Sequence, residues 1–162
     1  MLSAIVARIP NRTWIAALLA ICCSLSLVFP ALAGDPVEED FKLGKDAAEQ
    51  VKKENKFVED PAVADRVATI GKAIAEVARE KEITATYGSS TPLKFDYTFQ
   101  VIEDKDVNAF ALPGGFVYVY KGLVDQVQSD DELAAVIAHE VAHISHRHAV
   151  RMLKSQQKQM LG

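Results

Sequence analysis

The sequence predicts an α+β fold in which N-terminal helices and a small antiparallel sheet pack on one histidine-bearing helix. Three observations carry that reading. Apolar residues recur at steps of four and three through Val63, Val67, Ile70, Ile74 and Val77, the period of a helix with one buried face. From Phe95 the period changes to two, Phe95, Tyr97, Phe99 and Val101 alternating with Lys94, Asp96, Thr98 and Gln100, as in a half-buried strand. A long apolar run over residues 133–144 is then interrupted only by His139, Glu140 and His143.

The chain opens on a leader pattern. Arg8 and Arg12 are the only charges before Asp35, an uncharged stretch follows, and Ala31, Leu32 and Ala33 close it. That order is the basic, apolar and small-x-small succession of a secretory signal peptide, with cleavage expected after Ala33. The alternative is an uncleaved membrane anchor, since residues 14–33 approach spanning length, although Ser24, Ser26 and Pro30 weaken the span. Membrane contact is expected only in that alternative. Both cysteines, Cys22 and Cys23, lie in the leader, so the exported part has no thiol chemistry.

The remainder, residues 34–162, suits one globular domain: the whole chain of 162 residues is 49% hydrophobic and 25% charged. A net charge of −4 leaves no basic excess to hold a nucleic-acid backbone. Residues 35–40 read as an acidic, unpatterned start. Residues 41–57, rich in Ala, Glu, Lys and Gln, read as an amphipathic helix. The next helix has Asp60 as its cap and Pro61 at its first position. Gly88, Ser89, Ser90, Thr91 and Pro92 mark a connection. Short strands over residues 107–112 and 116–120 follow the first one, and their short links make an antiparallel meander the economical topology.

The chemistry sits on the last helix. Ser129, Asp130, Asp131 and Glu132 form a capping box that starts it. His139 and His143 are four residues apart, about 6 Å along the axis and roughly 40° around it, so both imidazoles reach one ion. Glu140 points elsewhere and is free to take a proton from a water in the open coordination position. His146 lies about 10 Å from His139 along a straight helix, too far for all three to close on one ion. His148 falls on the opposite face from His139 and reads as structural, and the charges that follow, Arg147 included, read as a helix entering solvent.

Together with the motif His139-Glu140-Val141-Ala142-His143, the stretches Asn108 to Gly115, Val117 to Leu123, Asp131, Glu132 and Leu133, and Arg147 and His148 closely resemble one family. It is the zinc metalloendopeptidase family that includes HtpX, the periplasmic beta-barrel assembly-enhancing protease and the CAAX prenyl endopeptidase. Leu43 and Gly44 onward are similar to its N-terminal part. The resemblance implies a zincin-like fold and one zinc ion per site, ligated by His139 and His143, with Glu140 as general base. It implies hydrolysis of internal peptide bonds in unfolded or misassembled envelope proteins, in the periplasm or cell envelope. It suggests that the strand at Asn108, Ala109, Phe110 and Ala111 lines the substrate cleft. In that family the third ligand is a Glu on a later helix, and no Glu follows Glu140 here. Residues 34–162 are therefore expected to be the N-terminal part of the metallopeptidase domain, poorly active alone. The rival expectation is a truncated, non-catalytic relative that binds misfolded proteins as a chaperone-like module. Oligomeric state is open.

Overall fold

The computed structural model describes residues 35–80 and 93–161. The leader with its cleavage after Ala33, and the connection at residues 88–92, lie outside the described residues. In chain order the elements are α1 (Pro36–Glu54), α2 (Pro61–Glu80), β1 (Thr98–Ile102), β2 (Ala109–Leu112), β3 (Phe116–Tyr120), α3 (Lys121–Gln126), α4 (Asp130–Ser145) and α5 (His148–Leu161).

Helix α1 starts five residues earlier than expected, and the acidic segment 35–40 is not an unpatterned lead-in. Asp35 caps it, its Oδ1 accepting from the Val37 amide at 2.9 Å. Pro36 takes the first position, and Glu38 and Glu39 lie in the first turn, where carboxylates complement the exposed N–H groups. The same device opens α2, where Asp60 accepts from the Ala62 amide at 2.9 Å.

The sheet is mixed, which corrects the antiparallel meander. Strand order is β1-β3-β2, with β1 parallel and β2 antiparallel to β3. The reason lies in β3, whose Val117, Tyr118 and Val119 are all buried. A strand apolar on both faces belongs in the middle of a sheet, whereas the four-residue β2 tolerates an edge. The outer edge of β1 is covered by the segment after α1, where the Val58 amide donates to the Val101 carbonyl at 2.9 Å. The outer edge of β2 carries no ladder among the described residues.

Alternation along β3 sends its side chains into two cores. Val117 and Val119 join Val67, Val101, Leu133, Ile137, Val141 and Ile144 between the sheet, α2 and α4. Tyr118 joins Ala48, Val51, Ile102 and Leu112 between the sheet and α1. On β2 the same alternation turns Ala109 and Ala111 toward the α4 side, and two small side chains let that helix lie close to the strand.

The Tyr118 hydroxyl is buried without a hydrogen-bond partner among the described residues, and burial pushes its pKa up to about 12. A raised folded-state value contributes stability below the ordinary tyrosine range that is lost as pH rises through about 12. At pH 7 an unpaired buried hydroxyl is a cost. Urea unfolding of Tyr118→Phe is therefore expected to give equal stability or a gain of up to about 1 kcal/mol. A clear loss would mean that the hydroxyl has a partner.

Candidate active site

Helix α4 begins as the capping box predicts: Ser129 Oγ accepts from the Glu132 amide at 3.2 Å, and the Glu132 carboxylate reaches back to the Gln128 amide at 2.8 Å. The helix is held by Leu133, Ile137, Val141 and Ile144, a buried stripe at helical spacing. On the opposite face Ala135, Ala138, His139 and Ala142 are exposed. A run that is apolar on nearly all sides is therefore buried on one face only.

Four residues apart on this scaffold, His139 and His143 bring their Nε2 atoms to 3.0 Å. A tetrahedral zinc with bonds of about 2.0 to 2.1 Å holds neighbouring donors roughly 3.3 Å apart, so the pair fits one ion with little adjustment. The surroundings of His143 also bear on its charge state. Burial lowers the pKa of His143, and the neighbouring imidazoles of His139 and His148 lower it further, which favours the neutral ring a metal needs. Among the described residues no group of three or more His, Cys, Asp or Glu side chains is gathered to hold a metal. The pair therefore offers two candidate donors, with no third such side chain gathered with them to hold a metal among the described residues.

Glu140 lies beside a cavity of about 190 Å³ that it shares with His143, Asp40, Arg147, Phe110 and Leu112. Its carboxylate is partly buried, and that burial raises its pKa to about 7. A carboxylate poised there suits general base catalysis near neutral pH. Of the four strand residues expected at the cleft, Phe110 and Ala111 line this cavity and Asn108 and Ala109 do not. Asn108 occupies the approach to β2, its side chain accepting from the Ala109 amide at 2.9 Å.

Two expectations drawn from a straight helix fail at the end of α4. Arg147 adopts φ 54°, a left-handed turn that is uncommon in residues other than glycine. It ends α4 and swings α5 so that His148 Nδ1 comes within 2.9 Å of His143 Nδ1. His148 thus adjoins the candidate ligand instead of facing away. Arg147 is likewise not a solvent charge: its Nε and Nη2 meet the two carboxylate oxygens of Asp40 at 2.7 and 2.5 Å. Asp40 is 1% exposed. Sequence reasoning missed Asp40, Arg147 and His148 as neighbours of the site. The Asp35-Pro36 start signal was available for α1; nothing local announces a left-handed arginine. His146 caps α4 with its ring stacked on His148.

Residues 64–161 match the model of peptidase family M48. The chain is 24% identical over 122 residues to the beta-barrel assembly-enhancing protease of Escherichia coli, a match covering 75% of this chain and 23% of that protein. It is 44% identical over 73 residues to the mitochondrial metalloendopeptidase OMA1 of Schizosaccharomyces pombe, covering 45% and 21%. With the metalloprotease LoiP of Escherichia coli the identity is 37% over 84 residues, covering 52% and 33%. The matched segments span a third or less of these relatives' lengths.

Proposed function

The chain belongs to peptidase family M48, and from that premise we propose that it carries the metal-binding helix and general base of a zinc-dependent endopeptidase. One observation carries the reading: two imidazole Nε2 atoms lie 3.0 Å apart beside a partly buried glutamate whose pKa is raised to about 7.

His139 and His143 hold the zinc, together with a third donor from outside the described residues. When bound, zinc supplies Lewis-acid polarisation of the scissile carbonyl. The open edge of β2 pairs with an extended stretch of substrate through backbone hydrogen bonds, which demand little of its sequence. Phe110 and Ala111 then carry that stretch past the cavity. Glu140 takes the proton of the attacking water and returns it to the leaving amine, so that water adds to the carbonyl carbon as the C–N bond breaks. The substrates we assign are unfolded or misassembled proteins of the cell envelope. The leader-like residues 1–33 support that place, as does similarity to a protease named for beta-barrel assembly. Intact mass of the envelope form should lack those 33 residues; a mass that retains them refutes cleavage.

Elemental analysis of the intact protein is expected to find one zinc per chain, with His143→Ala or His139→Ala losing most of it. Full zinc content in the variant with both replacements would move the site elsewhere. Zinc binding and capture of unfolded protein without chelator-sensitive cleavage would favour the chaperone-like reading.

A further inference from the structure

The Arg147–Asp40 pair has no part in the chemistry just described, yet it is the most constrained feature near it. Asp40 comes from the start of α1, a helix otherwise packed on the far face of the sheet through Ala48 and Val51. Its carboxylate is engaged by both arms of one guanidinium, a geometry lysine cannot reproduce. Glu39 Oε2 accepts from Arg147 Nη2 at 3.5 Å and from Lys154 Nζ at 3.3 Å. The arginine so held is the single non-glycine residue with positive φ among the described residues. Left-handed backbone opposes this conformation by roughly 1 kcal/mol or more for a residue with a Cβ, so the side chain must be held to keep the turn.

The turn has one consequence for the site. It directs the chain from α4 into α5 at an angle that brings His148 Nδ1 to His143 Nδ1. A neutral His143 that donates its Nδ1 hydrogen there keeps Nε2 as the lone pair facing His139. A second bond to the far nitrogen of a ligating imidazole fixes both ring orientation and tautomer. We infer that Arg147, clamped by Asp40, is a positioning residue that sets His148 against His143 and so orients the second metal ligand. This inference rests on the reading of His139 and His143 as ligands.

Zinc affinity measured by chelator competition in the intact protein tests it. Arg147→Ala combined with Asp40→Asn removes both charges and leaves a Cβ-bearing residue in the left-handed turn with nothing to hold it there. His148→Ala removes the exposed partner ring alone. Each change is expected to weaken zinc about tenfold, and all three replacements together should weaken it no further, because they act on one link. Val51→Ala, which loosens α1 at its other contacts, should leave affinity unchanged. Independent losses that multiply to about a hundredfold, or an unchanged affinity in the Arg147→Ala, Asp40→Asn protein, would overturn the inference. Should that protein not fold, Arg147→Lys carries the same expectation and the same two adverse outcomes. If His143→Ala leaves zinc affinity intact, the ligand reading itself has failed. The clamp is then judged on metal-free protein, where ring-to-ring NMR contacts between His143 and His148 should vanish in the clamp variants and survive in Val51→Ala. Their survival in the clamp variants would overturn it.

Discussion

Glu140→Gln is expected to lower peptide hydrolysis by about 10²- to 10⁴-fold while zinc content stays that of the wild type. The amide keeps the shape and a hydrogen-bonding oxygen but has no basic site for the proton. Zinc content is expected to hold because the proposed ligands are His139 and His143, whose Nε2 atoms face one another, and not Glu140. The same replacement is expected to act on stability with opposite sign. In the metal-free protein Glu140 has its pKa raised from 4.5 to about 7 by burial alone. A carboxyl raised in the folded state contributes stability below its ordinary value that is lost as pH rises through about 7. Above that pH the ionised group is a burden that Gln does not carry. Allowing for its partial exposure, the variant should be more stable than wild type by about 2 kcal/mol at pH 8, the gap closing toward pH 4. Cleavage of an unfolded substrate at the wild-type rate would remove Glu140 from the mechanism; equal stability at both pH values would contradict its burial.

Gly44→Ala should be among the most damaging single changes to the fold. A Cβ built there meets the Pro113 carbonyl oxygen at 1.7 Å and the ring of Phe116 at 3.2 Å. The first of these is backbone in a tight turn, where nothing can rotate aside. Gly114, on the other side of the contact, has φ 80° and lies against the Phe41 backbone, so the turn cannot retreat either. The expected loss is about 3 kcal/mol, read as a fall of order 10 °C in Tm. A fall within a degree or two would show that α1 can lift from the turn at little cost. Zinc affinity, measured on the folded fraction, should fall with it if α1 lifts far enough to withdraw Asp40 from Arg147.

These two positions differ in how much of their role the sequence displays. Glu140 is legible because its chemistry is local: spacing on one helix puts His139 and His143 together, and a lone carboxylate in an apolar run asks for a use. The start of α4 is legible for the same reason, since Ser129 and Glu132 act within one turn. Strand order is not local. The alternation that identifies β1 is silent about its neighbour, and only the two-sided burial of β3 makes the central place intelligible afterwards. Asp40 is harder still. In sequence it resembles Glu38 and Glu39, which stand in the first turn of a helix in the ordinary way, and only the arrival of Arg147 makes it the buried one. The apolar stripe of α2 shows the opposite error, because Val77 continues the pattern yet is 48% exposed.

The Asp40–Arg147 contact joins residues 107 positions apart, which orders the events of folding. Pairing of β2 with β3 spans a short turn and closes early, and α4 propagates from its own cap. Contacts across a long loop repay their closure entropy only late. The last of these to form is the one that sets the turn after α4, so the main core can assemble between the sheet, α2 and α4 while the His143–His148 contact is still unmade. By the same argument, hydrogen exchange is expected to show the Arg147 turn opening before the main core. Such a chain can keep its hydrophobic interior and, for intervals, be without the imidazole contact proposed to orient His143.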